Sequence, residues 1–296
     1  MDKLIYLAVI FISKLPFKLL YLLSDVFFLI NHYIIGYRKE VIQKNLKNSF
    51  PEKSQKEINE IHKKFNQNFA DYVFESIKGL TVNPKELEKR VVCENAELIK
   101  KYTGTEKNLI ALSGHVFNFE WYPFFAKDIE GFEGLYFIYK PLRNKFLNQK
   151  VNKLRSRFNG TGISAKETYR TIAKIPNNGK HLFYFLTDQS PSKYKAKYFI
   201  DFMNQETAVF KGFEDIVRKY NYNVLFIDGI KDKRGYYRMI LKEIKPDNGI
   251  EFEEGEMLKK YFDLLTITLK RNPDNWLWSH KRWKYTKKDV EKLKLA

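Results

Sequence analysis

Residues 4–35 form the most apolar stretch of the chain, broken by Lys14, Pro16, Lys18 and Asp25. No uninterrupted run reaches the ~18–20 residues of a clean spanning helix. The pattern predicts two helical segments, about 3–15 and 17–35, the second opened by Pro16, a residue favoured at helix starts. A secretory signal needs a basic start and a small-residue cleavage site. Here the start carries Lys3 offset by Asp2. Three readings stand: a membrane-inserted or interfacial anchor, an amphipathic pair docked on the core, and a cleaved signal. The amount of apolar residue and the following Tyr37-Arg38-Lys39 favour an anchor with a basic flank.

Beyond it the pattern alternates. Residues 38–78 read as helix, with Ile58, Ile61, Phe65, Phe69, Tyr72 and Phe74 near helical spacing. Ser54 and Glu57 are placed to form a capping box at the start of its second part. Residues 84–102 read as a short helix or strand followed by helix. Short apolar runs at 108–114, 135–139, 181–187 and 224–229 read as buried strands, and 236–243 alternates like an exposed one. Helical patterns fall near 119–127, 144–158, 165–175, 208–220 and 255–271. Strands alternating with helices predict an α/β fold: a mixed, largely parallel central sheet flanked by helices, preceded by the hydrophobic helical anchor. The expected division is 1–36 for the anchor and 37–296 for a catalytic domain.

Composition narrows the class. The chain has 296 residues, with 53 Lys+Arg against 35 Asp+Glu, a net charge of +18. Aromatic residues make up 16%, too many for a disordered chain. The single cysteine, Cys93, excludes a disulfide scaffold and a Cys-based metal cluster within one chain. A mean hydropathy of −0.47 argues against a polytopic membrane protein. Such positive charge attracts nucleic acid, anionic membrane or an acidic partner.

Candidate chemistry sits where strands end. The segment Ser113-Gly-His-Val-Phe-Asn-Phe-Glu-Trp121 places His115 five residues before Glu120. On a regular helix that is ~140° apart, so the two meet only if His115 lies in the turn leaving the strand. That strand edge is where open α/β sheets place ligands. A His held by a carboxylate is a general base whose tautomer is fixed. By itself the spacing is weak. Asp188, after the apolar run 181–187, reads equally as a turn cap, Arg155 and Arg157 as a solvated basic helix face, Trp276, Trp278 and Trp283 as core, and His280 as structural. Ser113 lacks a G-x-S-x-G elbow, and neither Gly-rich nucleotide-binding motif is present.

Taken together, the motifs are similar to those of the bacterial lipid A late acyltransferases of the lauroyl/myristoyl type, within the lysophospholipid acyltransferase superfamily. His115-x4-Glu120 followed by Trp121 resembles their signature. Tyr139-Lys140-Pro141 looks like their Tyr-Arg-Pro with Lys for Arg, and Leu154-Arg155-Ser156-Arg157 like their Arg-rich helix. Asp188-Gln189-Ser190, the stretch Phe202 through Gly212, and Trp276 through Lys284 follow in the same order. The resemblance spans nearly the whole chain.

The resemblance implies a glycerolipid acyltransferase-like fold. It also implies transfer of an acyl group from acyl carrier protein, or CoA, as thioester co-substrate to a hydroxyl of an anionic lipid A-type glycolipid. His115 would be the general base and Glu120 would hold its imidazole, without metal, cofactor or covalent acyl-enzyme. Arg155, Asp188, Lys140, Arg157 and Asn118 would bind substrate. The Lys140 departure keeps the charge but loses the bidentate fork. The implied site of action is the cytoplasmic face of the bacterial inner membrane, with no nucleic-acid partner. The alternatives are another lipid acceptor (an aminolipid or lysophospholipid), or a non-enzymatic basic protein that binds membrane or nucleic acid. Oligomeric state is open.

Overall fold

The computed structural model describes residues 2–122, 124, 130–141 and 144–294. Two apolar helices, α1 (Asp2–Lys14) and α2 (Phe17–Leu29), are joined at Pro16, and α2 runs on through a π-helical turn, Ile30–Ile35. Gly36 then takes a left-handed conformation (φ 63°) that ends the helix. The predicted helix over 38–78 is two: α3 (Lys39–Ser49) and α4 (Gln55–Lys78), with Phe50 and Pro51 between them. The capping box forms as the sequence predicts. Ser54 N–H donates to Glu57 Oε2 at 2.8 Å, and Glu57 N–H to Ser54 Oγ at 3.3 Å.

The α/β body follows as α5 (Pro84–Glu88), β1 (Val91–Cys93), α6 (Glu97–Lys100), β2 (Leu109–Ser113), β3 (Gly134–Tyr139), α7 (Lys145–Arg155), β4 (Gly160–Ser164), α8 (Thr168–Ile172) and β5 (His181–Leu186). Then come β6 (Tyr198–Phe202), β7 (Gln205–Val209), α9 (Gly212–Tyr220), β8 (Asn223–Lys233), β9 (Tyr236–Glu243), α10 (Glu256–Arg271) and α11 (Lys287–Lys294). Among the described residues seven strands form one sheet in the order β1-β9-β8-β2-β5-β3-β4. Strands β8, β2, β5, β3 and β4 run parallel, while β9 returns antiparallel to β8 and pairs with β1 in parallel. Every residue of β2 is buried, as expected of a central strand covered on both faces. The mixed, largely parallel sheet is the predicted fold class.

Some elements differ from expectation. Strand β4, Gly-Thr-Gly-Ile-Ser, has no apolar run to betray it. The hairpin β6–β7 turns at Met203 and Asn204, both at positive φ (51° and 61°), and its second strand takes residues 208 and 209 from the predicted helix 208–220. The helix expected near 119–127 lies partly outside the described residues; 119–121 are turn and Tyr122 is 3₁₀-helical.

The N-terminal pair docks on α4. Leu20, Ser24, Phe28 and Asn31, at helical spacing, turn inward and are buried. Tyr21 Oη donates to Glu75 Oε1 (2.8 Å) and Ser24 Oγ to Asp71 Oδ1 (2.7 Å). Arg234, in the β8–β9 turn, donates to both Asp25 and Asp71 at 2.6 Å. Lys78 Nζ holds the carbonyls of Ser13 and Leu15 at 3.0 and 2.7 Å, partners for groups the end of α1 leaves open. The outward side chains of the same helices remain exposed.

The two acids on Arg234 differ in burial. Asp71 is 1% exposed, whereas the Asp25 side chain is 45% exposed. Asp71→Ala, which removes the buried acceptor shared by Arg234, Lys231 and the Ser24 hydroxyl, is expected to cost about 3 kcal/mol of unfolding free energy. Asp25→Ala should cost under about 1 kcal/mol. Denaturant titration of both variants checks the order; equal losses contradict it.

Candidate active site

The site is set by the register of two parallel strands. Ser113 of β2 pairs with Leu186 of β5. Two residues further along each strand stand His115 and Asp188, at the C-terminal edge of the sheet. Gly114, between strand and histidine, leaves room for Leu265 of α10. A Cβ there would lie 2.7 Å from Leu265 Cδ1 and 3.4 Å from Asp188 Oδ2.

Asp188 is fully buried and receives three donors. The His115 main-chain N–H reaches Oδ2 at 2.9 Å, the Trp276 indole N–H reaches Oδ2 at 2.6 Å, and His115 Nδ1 lies 2.6 Å from Oδ1. Burial alone would raise the Asp188 pKa. The charge of His115 and these hydrogen bonds overcome it and hold the carboxyl at about 2. An ionised carboxylate is acceptor-only, so Nδ1 carries the proton and Nε2 is the basic nitrogen. Nε2 lies 3.0 Å from the Gln189 amide nitrogen, which donates to it.

The expectation that Glu120 holds the imidazole is therefore corrected: the carboxylate on the ring is Asp188. Glu120 forms a bidentate pair with Arg155, Nε to Oε2 at 2.8 Å and Nη2 to Oε1 at 2.5 Å. Arg155, at the end of α7, lies over the Phe137 ring at 5.7 Å. Burial works against its charge, but Glu120 raises its pKa on balance. The reason Glu120 turns away is local. Phe117 adopts φ 50°, a conformation unusual for an aromatic residue, so the path from His115 to Glu120 is not helical. The C-terminal segment clamps this turn. Phe117 N–H donates to Asn275 O (2.8 Å), Leu277 N–H to His115 O (3.1 Å), and Val116 bridges Trp276.

Two binding candidates take structural places instead. Asn118 is fully buried and its amide donates to Glu75 Oε2 at 3.0 Å, beneath the turn. Arg157 donates to the carbonyls of Gly79 and Val82, closing the C-terminal end of α4. Lys140 is exposed at the end of β3. Asp188 is brought to His115 as its hydrogen-bond partner. Glu75 went unremarked in the sequence, although with Asp71 it places two acids four apart on a helix that buries both. Ser113 Oγ, which donates to Ile227 O at 3.2 Å, is part of the core.

Beside the His115 ring lie aromatic side chains. His115 packs edge-on against Phe119 at 4.7 Å, Phe119 stacks on Tyr72 at 5.1 Å, and Tyr72 adjoins Phe69. A pocket lined by Phe65, Phe69, Tyr72 and Phe119 opens beside His115. A larger cavity, about 880 Å³, lies at the opposite edge of the sheet around Lys107 and Asn223. Behind the site, His280 Nε2 accepts the Ser190 main-chain N–H at 3.1 Å, and Trp276 and Trp278 pack at 4.7 Å in the core. Arg282 is 1% exposed and donates to Ala208 O at 2.6 Å, and burial pushes its pKa down to about 10.

His280 must be neutral to accept that bond, and burial holds its pKa at about 4. A histidine with a depressed folded pKa contributes stability above its unfolded value, near 6.5, and loses it as pH falls toward 4. Wild type is expected to exceed His280→Phe by roughly 2 kcal/mol at pH 7, with the gap closing at about pH 5 and reversing by about pH 4. Urea denaturation across that range measures it; a gap that widens on acidification contradicts the neutral assignment.

A family model described as bacterial lipid A biosynthesis acyltransferase matches residues 2–285. No curated protein matches the chain. With nearly its whole length matched, and a histidine–carboxylate pair at the C-terminal edge of a largely parallel sheet, the chain belongs to the bacterial lipid A biosynthesis acyltransferase family and is an acyltransferase.

Proposed function

We propose that the protein is a membrane-bound O-acyltransferase that moves a fatty acyl chain from the thioester of acyl carrier protein to a hydroxyl of a lipid A-type glycolipid. The observation that carries this reading is the His115–Asp188 pair, with His115 in the wall of a pocket rich in aromatic side chains. The acceptor hydroxyl takes the place of the Gln189 amide at Nε2 and gives up its proton there as its oxygen attacks the thioester carbonyl. The tetrahedral adduct then expels the thiolate, which takes the proton back from His115. Asp188 keeps the reactive tautomer and supports the imidazolium. The acyl group passes directly between the two substrates, with no covalent acyl-enzyme.

Arg155 is a binding residue in this scheme. Glu120 uses the Nε and Nη2 side of its guanidinium, which fixes the plane and leaves Nη1 for an anionic group of the acceptor. Glu120 is thus a positioning residue for Arg155. Lys140, exposed at the neighbouring strand end, adds charge. The net charge of +18 suits all three proposed partners: the acidic carrier protein, the phosphorylated acceptor and the anionic cytoplasmic face of the inner membrane. An aminolipid or lysophospholipid acceptor would use the same pair with less demand on Arg155.

Transfer of a labelled acyl chain from acyl carrier protein to a lipid A precursor tests the scheme. His115→Ala is expected to fall to background, and Asp188→Asn to lose roughly 10²–10⁴-fold in kcat. Glu120→Gln should act chiefly on the KM for a phosphorylated acceptor, and little on a neutral one. Equal transfer by wild type and His115→Ala sinks the mechanism. A kcat loss in Glu120→Gln as large as that in Asp188→Asn sinks the division of roles.

A further inference from the structure

The stretch Phe17–Ile35 is 19 residues long and apolar enough to cross a membrane by length and composition, at about 28 Å as a helix. Its contacts say otherwise. Resting on the membrane-bound reading above, we propose that α1, α2 and the π-helical turn lie in the plane of an anionic phospholipid surface and do not cross it.

The inward side of this stretch buries Leu20 and Phe28 and carries polar groups that are already engaged. Tyr21, Ser24 and Asp25 bond to Glu75, Asp71 and Arg234. Asp25 sits near the middle of the stretch, and Arg234 belongs to the turn between β8 and β9 of the main sheet. A transverse helix carries Asp25 to the centre of the bilayer. Either the ion pair breaks and leaves a charge in hydrocarbon, or the β8–β9 turn and the α4 acids follow it in. An in-plane helix keeps every one of these bonds.

The outward stripe supplies the opposite surface. Leu19, Leu22, Val26, Leu29 and Ile34 of the second helix are exposed, with Phe11 of α1, Ile34 to the extent of 78%. Both helices pack on α4, and these side chains point away from it. Lys14, Lys18 and Lys39, near the two ends of this stretch in the chain, are exposed. An apolar strip edged with cations is the pattern of a helix lying at an anionic lipid interface. A second copy seated on this strip would set those cations against their own kind.

The in-plane arrangement also fixes where the site stands. Glu75 binds Tyr21 of α2 and Asn118 of the catalytic turn with the same carboxylate. Tyr37, just past the lipid-facing Ile34 and Ile35, stacks on Phe69 of the pocket at 6.0 Å. The aromatic wall beside His115 is continuous with the membrane face, so a lipid acceptor reaches Nε2 without leaving the interface.

The test uses the full-length protein with Cys93→Ser and single cysteines at exposed positions, expressed in bacterial cells. In spheroplasts and in inverted membrane vesicles, Lys14→Cys and Lys39→Cys are expected to react alike with a membrane-impermeant maleimide, from one side only. A fluorophore on Leu22→Cys should be quenched most by lipids brominated close to the headgroup, at a depth of about 5–10 Å. Labelling of the two positions from opposite sides, or strongest quenching from the chain ends, overturns the in-plane placement and leaves the membrane-bound reading intact. Failure of the protein to pellet with phosphatidylglycerol–phosphatidylethanolamine vesicles overturns both. Sedimentation as a dimer would then name a second copy as the occupant of the strip.

Discussion

The Asp188 carboxylate is the constraint on which the site depends. It is buried among aromatic rings, where an isolated charge is costly, and it survives there because three N–H groups converge on it. Each donor comes from a different constraint. The main-chain N–H of His115 is delivered by the β2–β5 register, the imidazole by the turn that follows, and the Trp276 indole by the C-terminal segment that bridges Val116. Lose the register and the pair does not form. Lose the segment and the carboxylate is short of a donor. The single glycine between strand and histidine leaves room for the Leu265 and Val116 side chains against the main chain.

The second acidic centre does structural work. Glu75 is completely buried, and its pKa is raised by burial despite the donors Tyr237, Tyr21 and Asn118. It ties three otherwise separate pieces together: the apolar N-terminal helix, the strand β9 and the turn carrying His115 and Glu120. Asp71, one helical turn earlier, does the same for α2 and the β8–β9 turn. The N-terminal helices are thus part of the folded body on one face and free of it on the other. The reading of a docked pair describes the inward side of these helices.

Much of this was legible along the chain. Apolar runs located β2, β3, β5 and β8, and the ends of β2 and β5 gave His115 and Asp188. The capping box at Ser54 and Glu57 was readable because both partners lie within one turn. Which carboxylate serves the histidine was not. Glu120 is five residues away in sequence, Asp188 seventy-three, and strand order is a tertiary fact that no local pattern encodes. The left-handed Phe117 breaks the path on which the short spacing relied. The roles of Asn118 and Arg157 were hidden for the same reason: their partners Glu75, Gly79 and Val82 belong to a helix end far away in sequence. Strand β4 and the hairpin β6–β7 escaped because two glycines and a Met-Asn turn replace the usual apolar run and Gly-containing loop.

The central claim is that Asp188, and not Glu120, sets the tautomer of His115. Nitrogen NMR of the imidazole at neutral pH reads the tautomer directly. The neutral ring is expected to carry its proton on Nδ1 in wild type and in Glu120→Gln, and to lose that preference in Asp188→Asn. An Nδ1–H tautomer that persists in Asp188→Asn, and disappears in Glu120→Gln, would contradict the account.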